Sequence, residues 1–386
     1  MNKITVLTAT RAEYGLLSPI IKVLKEKPEY DVRVVATGAH MSPEFGLTYR
    51  EIEKDGIDID KKIEILLSSD TPASISKSMG LAMISFAEYF SDTRPDALMV
   101  LGDRYETIAV CLAAMNERIP IIHLYGGETT EGAIDEAVRH AITKISYLHL
   151  TSTDAYRKRV IQMGESPDRV FTVGAMGVYN AIHQDLMSVD ELSDSICFDL
   201  HGDYAVVTFH PVTLENASAE KQCHELMKAF DFFPDMKFLI TKANADADGR
   251  IINKILEEYG KSHDNVIVVD SLGMKRYLSA LNGAAMEVGN SSSGLLEVPS
   301  FHIPTVNIGD RQKGRLKADS VIDCQPECGS IVDAMKKALD SDFRTKCRTV
   351  VNPYGNGDTV SKIISAVDCM FSTGINIKKK FYDISF

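Results

Sequence analysis

The sequence contains seven cysteines but no Cys-x-x-Cys motif. They are scattered and odd in number. Cys324 and Cys328 are the one close pair, and no histidine cluster stands beside them. This usage argues against a disulfide framework and against zinc, and predicts reduced thiols in a cytoplasm. No apolar stretch exceeds strand length, so no membrane span is expected. The opening residues, MNKITVLTAT, run straight into a strand without a signal-peptide pattern. No repeat or low-complexity segment occurs. GxGxxG and GxxxxGK[ST] are both missing, which removes the usual dinucleotide fingerprint and the P-loop. Positive charge is scarce: 42 Lys and Arg against 54 Asp and Glu, a net charge of −12. That balance argues against a nucleic-acid partner. It also means that an anionic ligand must be met locally, by Arg, His and helix N-termini.

A chain of 386 residues exceeds one ordinary core, so two domains are expected. A hydrophobic content of 45% with 25% charged residues is that of a soluble globular protein. Apolar strand-length runs alternate with amphipathic helical stretches. In the first half the strands fall at Ile4–Leu7, Asp31–Thr37, Lys62–Leu66, Ala97–Leu101, Ile119–Ile122, Leu148–Thr151 and Val170–Val173. Thr48 to Glu51 fits a capping box. The stretch near 180–203 is polar and acidic and reads as a linker. The alternation restarts at Tyr204–Phe209, Lys237–Thr241, Val266–Val269, Ala284–Val288 and Pro304–Ile308, and ends in helices at Ile331–Leu339 and Val360–Phe371. The pattern predicts an α/β fold of two doubly wound Rossmann-like domains, with polar strand ends facing a central cleft.

Chemistry concentrates in Val100–Lys144. Two apolar runs end at Gly102-Asp103-Arg104 and at His123 to Glu128, and a helical stretch carrying Asp135, Arg139 and His140 follows. Asp103, His123, Glu128, Glu131, Asp135, Arg139 and His140 are expected to converge at the carboxyl ends of adjacent parallel strands. Several carboxylates among Arg and His are raw material for acid–base work. Glu131 is extra within the loop between Glu128 and Asp135 and reads more readily as a solvent-facing residue. Arg11, after the first strand, is a candidate phosphate contact or a surface partner of Glu13. In the second half, Gly289-Asn290-Ser291-Ser292-Ser293-Gly294 between a strand and a short helix suits a diphosphate, or simple N-capping by a serine. Glu297 follows and suits ribose hydroxyls. Arg311 and Arg315 are either phosphate contacts or a solvated basic loop. His210, directly after a strand, reads as structural or catalytic.

Taken together, TATRAEYGLL (8–17), VLGDRYE (100–106), HLYGGE (123–128), RHAITK (139–144), FHPVTLE (209–215), NADA (244–247), GNSSSGLLEVPS (289–300) and NIGDRQKGR (307–315) resemble the hydrolysing UDP-N-acetylglucosamine 2-epimerase family, NeuC type. The match spans nearly the whole chain. The resemblance implies the GT-B arrangement: an acid–base domain over residues 1–180, a UDP-binding domain over 181–360, and a helix in 361–386 that packs back on the first domain. The activity it implies is anti-elimination of UDP to 2-acetamidoglucal, then hydration to N-acetylmannosamine, for sialic acid type sugars. The alternatives are the same chemistry on UDP-N,N′-diacetylbacillosamine for legionaminic acid, and a non-hydrolysing epimerase. A glycosyltransferase and a nucleotide-sugar sensor compete more distantly. Carried over residue by residue, Asp103, Glu128, Asp135 and His210 are the catalytic candidates. Arg11, Arg104, Asn244, Ser291, Ser292, Glu297 and Arg315 are the UDP-sugar contacts. Neither a metal nor another cofactor is implied, and the expected assembly is a homodimer. Tyr125 departs from the pattern, since Glu or His is expected there. A phenol with an ordinary pKa of ~10 is a poor base near neutral pH, so the base moves to Glu128 or Asp135.

Overall fold

The structure is a computed structural model that describes residues 1–384 other than positions 68, 70, 131–133, 212–218 and 244–246. The chain divides into two compact units, Met1–Met176 with Gly357–Phe386, and Gly177–Asn356.

The first unit is built on seven parallel strands: β1 (Asn2–Thr8), β2 (Tyr30–Thr37), β3 (Ile59–Ile63), β4 (Ala97–Leu101), β5 (Ile121–Leu124), β6 (Leu148–Thr151) and β7 (Val170–Thr172). Their order is β3-β2-β1-β4-β5-β6-β7. Helices cover both faces, so the central strands are buried throughout, and this is why they read as unbroken apolar runs. Strand order reverses between β1 and β4, which pair with Val6 opposite Met99. A reversal of this kind leaves a crevice at the carboxyl ends of the two strands, at Ala9–Arg11 and Gly102–Arg104. Phe86, Phe90, Val100, Ala109 and Ile121 form part of the core on one face.

The second unit has six parallel strands: β8 (Tyr204–Thr208), β9 (Lys237–Thr241), β10 (Val266–Val269), β11 (Met286–Gly289), β12 (Thr305–Ile308) and β13 (Val321–Cys324). Their order is β10-β9-β8-β11-β12-β13. Here the order reverses between β8 and β11, so the crevice falls at Phe209-His210 and Asn290-Ser291. Phe230 stacks on Phe238 with centroids 4.0 Å apart in the core of this unit.

Helix Thr359–Thr373 belongs to the first unit. Its Asp368 accepts from Lys27 Nζ at 2.8 Å and from Tyr30 Oη at 2.5 Å. The tail beyond it sends Lys379 to buried Glu165, 2.6 Å away.

Several local expectations are corrected. The third strand lies at Ile59–Ile63, four-fifths polar or half-exposed, because it is the sheet edge. Thr48 makes no capping bond: it sits in right-handed helical conformation, and its hydroxyl engages His40 Nδ1 at 2.8 Å. The reciprocal capping boxes are at Thr10–Glu13 and Ser188–Glu191. The latter opens a helix, Val189–Ile196, inside the stretch read as a linker. Strand β13, on the other sheet's edge, was not anticipated.

Candidate active site

In the first unit, β4 ends at Asp103. The Asp103 carboxylate accepts from Arg139 Nη2, and Arg139 is 3% exposed. Helix Ile134–Ile145 supplies that arginine. One turn earlier on the same face, Glu136 accepts from Arg139 Nη1 at 3.2 Å and lies 3.1 Å from His140 Nε2. Glu136 also accepts from the Thr130 amide at 2.6 Å. It therefore ties the segment after β5 to the helix, and it holds Arg139 in place for Asp103. Asp135, in the first turn, reaches solvent. The protein crowded around it, and next the Asp103 charge, push its carboxyl above the usual carboxylate range.

Glu128 follows β5 in a tight Gly126-Gly127 turn. The turn is pinned by Arg159, whose Nη1 donates to the Gly127 carbonyl at 2.6 Å. Gly127 has φ +77°, and a Cβ there would lie 2.6 Å from the Tyr156 carbonyl oxygen, so the position requires glycine. Glu128 is buried and accepts from Ser152 Oγ at 2.6 Å, across from β6. His123 is fully buried, and burial drives its pKa down to about 3. Its Nε2 donates to the Gly102 carbonyl at 2.8 Å, leaving Nδ1 to accept from Thr143. This neutral imidazole fixes the end of β4 next to Asp103. It is a positioning group here. Tyr125 accepts the Met176 amide at its hydroxyl, 2.7 Å away, which is a structural bond.

The crevice between β1 and β4 holds further charge. Arg104 donates from Nε to buried Glu106 at 2.5 Å. Glu13 accepts the amides of Ala9 and Thr10 at 2.7 and 3.1 Å. Burial, opposed by Arg104, raises it to about 7. Arg11 therefore does not pair with Glu13; it lies 3.8 Å from Glu51, both half-exposed.

In the second unit, the backbone of His210 and the side chain of Asn290 exchange two hydrogen bonds, of 2.7 and 2.8 Å, across the β8–β11 crevice. Burial, and then the Arg311 charge, lower the His210 pKa to about 4, so the imidazole is neutral at pH 7. Arg311 Nη1 and Gln312 Nε2 both donate to the Asn290 carbonyl. Ser292 stands at the helix start without a side-chain capping bond, and Ser291 Oγ accepts the Ser293 amide at 3.3 Å. Glu297 is half-buried. Burial raises its carboxyl to about 7, while Ser293 and Arg315 pull the other way. Asn244 and Glu131 lie outside the described residues.

In the first unit Arg11, Asp103 and Arg104 follow β1 and β4, and Glu128 follows β5; in the second unit His210, Ser291 and Ser292 follow β8 and β11. Ser152 is not among the residues singled out from the sequence, and Glu136 and Asn290 stand there only within motifs, without a role of their own. For Glu136 a signal existed: its spacing of three and four to Arg139 and His140 places all three on one helix face. Among the described residues, no group of three or more His, Cys, Asp or Glu side chains is placed to hold a metal ion. No helix among them is long and apolar enough to cross a membrane.

Comparison with known proteins gives a consistent picture. The sequence model of the family described as UDP-N-acetylglucosamine 2-epimerase matches residues 22–368. A GDP/UDP-N,N′-diacetylbacillosamine 2-epimerase (hydrolyzing) of Campylobacter jejuni is 39% identical over 99% of both chains. The polysialic acid biosynthesis protein P7 of Escherichia coli is 38% identical, covering 100% of this chain and 98% of that one. A UDP-N,N′-diacetylbacillosamine 2-epimerase (hydrolyzing) of Legionella pneumophila is 33% identical over 93% of each. Among solved structures, a UDP-N-acetylglucosamine 2-epimerase from Listeria monocytogenes superposes with a TM-score of 0.81 at 17% identity, over 99% of both chains. The fold is thus the two-domain Rossmann-like fold of the GT-B type.

Proposed function

Because the chain belongs to the UDP-N-acetylglucosamine 2-epimerase family, we propose that it is a hydrolysing 2-epimerase acting on UDP-N,N′-diacetylbacillosamine or a closely similar UDP-linked diacetamido-trideoxy sugar. The observation that carries this reading is the 39% identity, over almost the full length, to a hydrolysing epimerase named for that sugar. UDP-N-acetylglucosamine is the second reading. The motifs point to it, and the 38% identity to a polysialic acid biosynthesis protein favours it.

The net reaction adds one water: UDP-sugar and water give UDP and the C2-epimeric free sugar. A base takes the C2 proton while the C1–O bond to UDP breaks, leaving a glycal. The glycal is then protonated at C2 on the opposite ring face, and water oxygen bonds to C1. Inversion at C2 calls for two proton-transfer groups on opposite faces of the ring. Glu128 and Asp135 are our pair. Glu128 is oriented by Ser152. Asp135 is pushed above the usual carboxylate range by its surroundings and by the Asp103 charge, the direction that favours its protonated form. Asp103, locked to Arg139, supplies fixed charge beside them. Arg104 and Arg11 in the first unit, and His210, Ser291, Ser292, Glu297 and Arg315 in the second, are assigned to the UDP. Asn244 is retained there on its motif alone. Cationic and hydroxyl contacts lower the cost of expelling a diphosphate.

We also expect a cytoplasmic homodimer. The cysteines are unbridged, and exposed Leu81, Ile84 and Met115 lie on two helices that pack together.

The deciding experiment is turnover of both UDP-sugars in deuterated water. We expect free UDP and a C2-epimeric sugar carrying deuterium at C2, with the diacetamido substrate processed at the higher kcat/KM. A product that stays linked to UDP, or retains its C2 hydrogen, overturns the hydrolysing mechanism. Preference for UDP-N-acetylglucosamine overturns the substrate assignment alone.

A further inference from the structure

Beneath the Ser291–Glu297 segment lies a group of polar atoms that no role so far described uses. Glu287, in the middle of β11, is 1% exposed. Its Oε1 has no hydrogen-bond partner among the described residues. The same holds for the hydroxyls of Tyr277, on helix Gly273–Gly283, and of Ser293. Unsatisfied buried polar atoms are rare, and three around one short segment call for a reason. They are neighbours: the Tyr277 hydroxyl, fully enclosed, lies within reach of the charges of Glu287 and Glu297 and beside Ser293 and Thr208.

The backbone packs tightly onto this group. A Cβ on Gly294 would stand 2.6 Å from Glu287 Oε2 and 2.8 Å from Thr305 Cγ2. Thr305 lies opposite Glu287 in the sheet, and its Oγ1 donates to the Gly294 carbonyl at 2.7 Å. The short helix Ser293–Leu296 therefore rests directly on the Glu287 carboxyl, and Glu297 follows at its end. An ionised carboxylate here would have no cation facing it among the described residues. The charged or titratable groups that face it are Glu297 and Tyr277, and neither is positive. Burial and the Glu297 charge both drive the Glu287 pKa well upward. A neutral acid is the form that fits the enclosure.

We propose that Glu287 is a positioning residue for nucleotide binding: a neutral buried acid that forms the floor under Ser293 and sets the height and direction of Glu297. As a neutral group it leaves no uncompensated charge in the enclosure, and its flat carboxyl end fills the space directly beneath Gly294. The proposal rests on the reading that UDP is held by Ser291–Arg315. It predicts that glutamine, the isostere of the protonated acid, suffices at this position, whereas an apolar side chain does not.

The test measures the Kd of UDP by titration calorimetry, and KM and kcat for the UDP-sugar, on the full-length protein at pH 7. Glu287→Gln is expected to bind UDP within about twofold of the parent. Glu287→Leu is expected to weaken UDP tenfold or more and to raise KM in step, with kcat changed less than threefold. Tyr277→Phe, which keeps the fold's packing, is expected to weaken UDP about threefold. Equal affinity in all three variants, or a loss in Glu287→Gln as large as in Glu287→Leu, overturns the proposal. Glu297→Ala is the control for the underlying reading. If it binds UDP like the parent, the nucleotide assignment itself falls; if it binds weakly, the Glu287 results stand by themselves.

Discussion

Glu128 accepts a hydrogen bond from Ser152 Oγ at 2.6 Å inside the first unit, so the direction of the buried carboxylate is set by a residue of the neighbouring strand end. Glu128→Gln keeps the shape and the Ser152 contact and removes the base. We expect kcat to fall by about 10²–10⁴, the range for loss of a positioned acid or base, with UDP affinity unchanged within threefold. Ser152→Ala leaves the base present but unoriented, and a loss of roughly tenfold is expected. Stopped-assay release of UDP together with calorimetric UDP binding separates the two effects. If Glu128→Gln retains full turnover, the proton-transfer role passes to Asp135 alone.

Arg139 is the hub that neutralises Asp103 and Glu136 at once. Arg139→Met removes the cation from Asp103 and leaves Glu136 with His140 and the Thr130 amide. Breaking a buried pair costs about 3–5 kcal/mol; because Asp103 keeps 23% of its side chain exposed, we expect roughly 2–3 kcal/mol, read as a shift in the urea midpoint. Asp103→Asn removes the charge that helps raise Asp135. The Asp135 carboxyl should then titrate at lower pH, which a carbon-13 NMR titration of the variant against the parent would report. An unchanged Asp135 titration would mean that its surroundings alone set the shift.

The carboxylates of the first unit also show how far the sequence carries. Asp103, Glu128 and Asp135 were legible because each follows an apolar run or opens a helical stretch, and a parallel sheet brings strand ends together. Their partners were less so. Ser152 lies 24 residues from Glu128 and meets it only because β5 and β6 are adjacent. Glu13, Glu106 and Glu287 are all buried, which the sequence does not signal, since a lone carboxylate in a strand or helix leaves no periodic pattern. The edge strands β3 and β13 were shifted or missed because half-exposed, charged edges lack the apolar run of a central strand. Ser188 to Glu191 is a capping box within an acidic stretch whose charge outweighed its apolar Leu192 and Ile196 in the reading.

The C-terminal tail locks onto the first unit through charge. Glu165 is fully buried and takes hydrogen bonds from His149 at 3.1 Å, Lys144 at 2.9 Å and Lys379 at 2.6 Å. Burial alone would raise its carboxyl; those three donors outweigh it and bring the pKa to about 2. A depressed folded-state value means that the stabilisation is present above the unfolded value near 4.5 and is lost as pH falls from there through 2. The shift corresponds to on the order of 3 kcal/mol. We expect the urea midpoint of the parent to fall steeply between pH 5 and pH 2, and that of Glu165→Gln to start lower and fall less. Lys379→Met should behave like a partial Glu165→Gln. A parallel pH dependence in all three proteins would remove the tail clamp from the account.

Gly177 and Glu297 are pressed together so closely that a Cβ on residue 177 would overlap Glu297 Oε1. Gly177→Ala therefore touches the proposed ribose-binding carboxylate without touching any acid–base residue. Because the obstructing atom is the end of a flexible side chain, the clash is relieved by rotating Glu297 away, at a cost of about 1 kcal/mol for the strained rotamer. Thermal stability should hardly change. UDP affinity and substrate KM should weaken by roughly three- to tenfold, and kcat should stay within twofold, because the carboxylates of the first unit are untouched. The alternative outcome is equally readable. If Gly177→Ala lowers kcat with KM unchanged, Glu297 acts on the reacting sugar rather than on the nucleotide.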